Sequence, residues 1–123
     1  MIKTIFRIAL LLPLFIISFE SISQKTFIYT DPHKSYKTAQ ELFDKGKFSA
    51  AQFHFKDIID RLENPQDETR INAEYYFAVC ALKLYHQSVE TLLTRFVLDH
   101  PDHPKSKNVY LQLARHYYRM KKF

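Results

Sequence analysis

The chain has 123 residues, 46% of them apolar, with 18 basic and 13 acidic side chains and a formal net charge of +5. It is therefore able to bury a core and is not compositionally disordered. One glycine excludes a Gly-rich phosphate loop and disfavours tight β-hairpins, and one cysteine excludes a disulfide framework or a Cys-based zinc site within one chain.

Lys3 and Arg7 precede an apolar run from Ile8 to Phe19, which Glu20 ends. As a helix, that run rises about 18 Å against about 30 Å of hydrocarbon, the length of a signal-peptide core and short for a membrane span. Ser21-Ile22-Ser23 is a small-x-small triplet of the kind signal peptidases cut. The reading is an export signal over residues 1–23, cleaved after Ser23 or Gln24, with residues 24–34 as a lead-in linker. Without residues 1–23 the chain carries 16 basic and 12 acidic residues. The excess is local: residues 105–123 hold six basic side chains and no acidic one.

Asp31-Pro32 signals a helix start, because Asp caps and Pro fits the first turn. Tyr36, Ala39, Leu42 and Phe43 form one face of that helix, and Gly46 ends it by accepting a left-handed backbone. Ser49 to Gln52 reads as a capping box opening a second helix with the stripe Ala51, Phe55, Ile58, Ile59 and Leu62. Asn64-Pro65 breaks it and is placed to start a third. That third helix is apolar nearly all round (Ile71, Tyr75, Phe77, Ala78, Val79, Cys80, Leu82), which predicts burial between neighbours. A turn at Leu84-Tyr85-His86 leads to a fourth helix with Val89, Leu92, Leu93, Phe96 and Val97. Pro101 and Pro104 bracket a turn, and a fifth helix follows with Val109, Leu113, Ala114, Tyr117 and Met120. No segment sustains the period-2 alternation of a strand.

Aromatics follow a short polar turn at Phe48, Tyr85 and Phe123, spaced 37 and 38 residues apart. Helix, tight turn, helix and Pro-containing connection then recur as a unit, the signature of a helical-hairpin solenoid. Ala39 to Phe48, with its small residue, large apolar residue, Gly and aromatic, resembles the first helix and turn of the tetratricopeptide repeat (TPR) family. Ala51, Phe55 and Ile58 resemble that family's second-helix core, although Ile58 replaces the usual small residue. Leu113-Ala114, Tyr117 and Phe123 resemble a further first helix, while Leu84-Tyr85-His86 lacks the turn glycine. The run Phe96 to Lys107 is similar to repeats of periplasmic members, of the BamD-like and cell-division coordinator types.

The resemblance covers residues 35–123. It implies an all-α, right-handed solenoid of about two and a half TPR-like repeats, unfinished in the third. Stopping there exposes Val109, Leu113 and Tyr117 on the last helix. It implies a non-catalytic scaffold in the periplasm or at the outer-membrane periphery, binding proteins or peptides on a concave face, with outer-membrane assembly as one setting. The alternatives are the N-terminal helical domain of a larger multi-repeat protein or enzyme, and a self-associating oligomer.

No catalytic, cofactor or metal-ligating set is expected. His100 and His103 sit in a Pro-held turn that reads as solvated, and Cys80 reads as a buried, inert thiol. Asp57 and Asp60 read as a solvated helix face. Tyr75, Tyr76, Tyr110 and Tyr118 carry apolar faces with polar tips, and with Arg115 and Arg119 they are the candidate partner-binding residues. The basic segment 105–123 suits an acidic protein or anionic membrane surface; nucleic acid is not expected for an exported chain.

Overall fold

The structure, a computed structural model, describes residues 30–121; the export-signal and cleavage readings lie outside the described residues. The described chain is all-α. It runs α1 (Pro32–Asp44), α2 (Phe48–Arg61), α3 (Glu68–Lys83), α4 (Val89–Asp99) and α5 (Pro104–Met120). Each helix packs on the next, and α1 also touches α3, so α1–α2 and α3–α4 are successive hairpins and α5 lies against the second.

Caps set the frame. The Asp31 carboxylate accepts from the His33 N–H at 3.1 Å, with Pro32 opening α1, so the helix includes residues 32–34 that the sequence assigns to a linker. Asp67 caps α3 by accepting from the N–H groups of Thr69 (2.8 Å) and Arg70 (3.2 Å). Asn64-Pro65 ends α2 but does not start α3: the Asn64 side chain closes a turn by accepting from the Gln66 N–H at 3.0 Å. His103 caps α5, its Nδ1 accepting from the Lys105 N–H at 3.2 Å. Asp31, Asp67 and His103 each stand 36 residues after the one before.

The two hairpin turns share one hydrogen-bond scheme. In the first, the Gly46 N–H bonds to the Phe43 carbonyl and the Lys47 N–H to that of Leu42. In the second, the Tyr85 N–H bonds to Leu82 and the His86 N–H to Ala81. Both are Schellman turns, which need a left-handed residue after the cap. Gly46 has φ 73° and Tyr85 φ 58°, so Tyr85 does without a glycine what Gly46 does with one. The structural counterpart of Tyr85 is therefore Gly46, not Phe48. Phe48 is instead the first residue of α2, edge-on to Phe43 at 5.4 Å. The expected capping box is absent: α2 starts before Ser49 with no side-chain cap, and Gln52 donates to the Phe77 carbonyl at 3.3 Å.

Two apolar clusters meet on α3. Ala73 and Cys80 join Ala39, Ala51, Phe55 and Ile58 of the first hairpin. Ile71, Tyr75, Ala78, Val79, Ala81 and Leu82 join Val89, Leu93 and Phe96 of α4 and Val109 of α5. This explains the all-round apolar sequence of α3. Cys80 is fully buried, and burial pushes its thiol up to about 12, so it is inert as the sequence suggests.

Candidate partner-docking face

The 36-residue frame assigns a counterpart to each residue of α5. Ala39, Tyr75 and Leu111 stand eight residues after their caps; Leu42, Ala78 and Ala114 stand eleven after. Phe43, Val79 and Arg115 come next, and Leu82 and Tyr118 share the offset three residues further on. In α1 and α3 these positions turn toward the helix that follows. Ala39, Leu42 and Phe43 meet the α2 residues Phe55 and Ile58, while Tyr75, Ala78, Val79 and Leu82 meet Val89, Leu93 and Phe96 of α4.

In α5 the same positions are open. Leu111 is 51% exposed and Tyr118 62%, and Ala114 and Arg115 are exposed between them. Tyr110 borders the stripe at 60%, and Lys107 and Arg119 flank it. Ala114, Arg115, Tyr118 and Arg119 line one shallow depression. Among the described residues, Lys107, Arg115 and Arg119 enter no ion pair. Arg119 also lines a cleft of about 530 Å³ between the end of α5 and the α3–α4 turn, whose other polar lining residues are Tyr85, His86, Gln87, Glu90 and His116.

Four of the six residues singled out from the sequence thus lie on this face: Tyr110, Tyr118, Arg115 and Arg119. The other two do not. Tyr75 is buried against Phe96, rings 5.7 Å apart, and is out of a partner's reach. Tyr76 is half-buried, stacked on Phe55 at 5.4 Å and edge-on to Phe43 at 5.1 Å. Its hydroxyl accepts from Gln40 at 3.5 Å, and the Lys105 ammonium stands 4.9 Å from its ring centroid. Burial lowers the pKa of Lys105, opposed by the nearby Glu68 carboxylate. These tyrosines pack helices together.

The exposed stripe also differs from the expected one. Val109 is fully buried and Leu113 packs against the α3–α4 core, while Tyr117, 43% exposed as expected, donates to the Glu90 carboxylate on α4. Those residues are the inner face of α5. Leu111 and Ala114, absent from the sequence-based site, belong to its outer face; the spacing between helix caps is the signal that finds them.

Pro101, Asp102 and Pro104 of the histidine turn are exposed as expected, but its two histidine side chains are not solvated. His100 is buried and its Nε2 donates to Glu74 at 2.7 Å, while Glu74 also accepts from Arg70 at 3.0 Å. Because His103 Nδ1 accepts from the backbone, Nε2 carries the hydrogen and donates to Glu68 at 3.2 Å. The hydrogen bond from His103, then that from Asn72, holds the Glu68 carboxyl below its usual range. The Ser106 hydroxyl donates to the His100 carbonyl at 2.6 Å. Together these bonds tie the α4–α5 turn to α3 and fix the direction in which α5 leaves the bundle.

Asp57 pairs with Arg61 at 3.0 Å and Asp60 with Lys56, all along α2, the arrangement of a charged helix surface. Among the described residues no three His, Cys, Asp or Glu side chains converge as a metal site, and no helix is long and apolar enough to cross a membrane. Compared with protein-family models, curated proteins and solved structures, the chain matches none.

Proposed function

We propose that this chain is a non-catalytic protein–protein docking module, exported to the cell envelope and built on TPR-like hairpins. The observation that carries this reading is the outer face of α5. Leu111, Ala114 and Tyr118 repeat the positions of Tyr75, Ala78 and Leu82, yet they are exposed where the α3 residues are core. A stripe of apolar and aromatic side chains with Arg115 within it and Arg119 at its edge has the composition of an interaction hot spot. The two Schellman turns and the regular cap spacing support the repeat reading, and a right-handed solenoid is the arrangement that continues it. Export rests on the residue pattern of positions 1–23.

Site-specific photocrosslinking in the native cell tests the docking reading. A photoreactive side chain at position 118 is expected to capture a discrete partner, and one at Phe53, which is still more exposed on α2, is not. Equal capture from both positions, or none from position 118, contradicts it. Intact mass tests export: the expected product begins at Gln24 or Lys25, and a product retaining residues 1–23 contradicts it.

A further inference from the structure

We infer that the cleft between the α3–α4 turn and the end of α5 binds a small organic acid with a flat apolar body. This goes beyond the docking reading and does not rest on it.

The first observation is a difference between two turns with one hydrogen-bond scheme. Aligned on those bonds, Phe43, Gly46 and Phe48 of the first hairpin correspond to Leu82, Tyr85 and Gln87 of the second. In the first, Phe48 is half-buried and lies edge-on to Phe43, rings 5.4 Å apart, so apolar contact closes the turn. In the second, the corresponding Gln87 is exposed, and Leu82 is left at the wall of a cleft of about 530 Å³. Sites for small organic molecules run from about 300 to 1,000 Å³.

The second observation is the residue that shapes the turn. A left-handed backbone is disfavoured for tyrosine and freely adopted by glycine. Tyr85 holds that backbone with its side chain 82% exposed, so the ring does not serve the core. Backbone strain of this kind gathers at ligand sites. Here the ring lines the cleft and offers a flat aromatic wall.

The chemistry of the ligand follows from the rim. His86, Gln87, His116 and Arg119 line the same cleft, and among the described residues none of their side chains enters a hydrogen bond or ion pair. The one acid in the lining, Glu90, accepts from the Tyr117 hydroxyl. A guanidinium and two imidazoles therefore converge as donors, and a carboxylate can take two parallel bonds from an arginine. Leu82 and Met120 supply apolar surface for a ring lying beside Tyr85. An acid without an apolar body leaves that surface in water, and a neutral ring leaves the guanidinium without a counter-charge.

Isothermal titration of the full-length chain with naphthoate and naphthamide tests the inference. Naphthoate is expected to bind at least about tenfold tighter than the amide. Arg119→Ala is expected to erase that preference. Tyr85→Gly keeps the turn and is expected to weaken naphthoate at least about fivefold while the thermal midpoint rises. A residue acting only through the fold cannot weaken binding while stabilising the chain. Equal binding of acid and amide overturns the ligand class. Naphthoate affinity unchanged in both variants places the ligand elsewhere and overturns the site. Binding of neither probe overturns the inference, while the docking reading still stands or falls on the crosslink from position 118.

Discussion

α3 and α5 begin from equivalent caps and present the same ridge, but among the described residues only α3 has a helix on it. Tyr75, Ala78 and Leu82 are core because α4 covers them; Leu111, Ala114 and Tyr118 are surface because nothing among the described residues does. The comparison separates two properties that sequence patterns merge. A periodic stripe says that a helix has an apolar face, and tertiary packing decides whether that face is core or surface.

The sharpest way to break the comparison is to remove the same side chain from both helices. Tyr75→Ala, in a filled core, is expected to cost about 3–5 kcal/mol by urea denaturation. Tyr118→Ala is expected to stay within about 0.5 kcal/mol. Similar losses at the two positions would mean that α5 is covered as α3 is.

The bond that anchors α5 to the end of α4 comes next. Ser106→Ala leaves the His100 carbonyl without its buried donor and is expected to cost about 1–2 kcal/mol by the same measurement. If α5 is held only by Val109 and Leu113, the loss will be negligible.

The two hairpin turns give a smaller pair of effects, of opposite sign. Gly46→Ala meets no atom within 4 Å, so its expected cost of about 1 kcal/mol is purely conformational. Tyr85→Gly relieves a left-handed tyrosine that is 82% exposed. It is expected to raise stability by a few tenths of a kcal/mol, since released strain of about 1–2 kcal/mol is offset by the extra unfolded-state freedom of glycine. Thermal melts that shift in the same direction would show that the turns are not equivalent.

The smallest effect concerns pH. The folded-state pKa of Glu68 lies below its usual value, so its contribution is present above the ordinary Glu range and fades as pH falls through the folded value. Glu68→Gln is expected to lower the thermal midpoint slightly at neutral pH, with the gap to the parent closing in acid. The effect is small because Glu68 is exposed. A gap that persists at low pH would rule out the carboxylate as its source.

The helices were legible because each carries an apolar stripe and most have a cap or breaker. Asp31-Pro32 and Gly46 act as their chemistry suggests, and the all-round apolar α3 lies between neighbours. The frame was harder to read because aromatics are conspicuous and caps are not. Matching Phe48 to Tyr85 puts a helix residue opposite a turn residue, and nothing in a tyrosine announces a left-handed backbone. The face of α5 was ambiguous for a geometric reason. Val109, Leu113 and Tyr117 form one stripe and Leu111, Ala114 and Tyr118 another, and only the docking of α4 and the bonds of Ser106 and His103 choose between them. His100 and His103 looked solvated because their partners, Glu74 and Glu68, lie more than twenty residues away in sequence.

The central claim, one ridge covered on α3 and open on α5, is tested most directly by thiol accessibility. Ala78→Cys and Ala114→Cys occupy equivalent positions, and the native Cys80 is buried and silent. The account predicts that maleimide labels position 114 at the rate of a free thiol, while position 78 reacts only in denaturant. Protection of position 114 in the isolated protein, or equal labelling of the two, would contradict it.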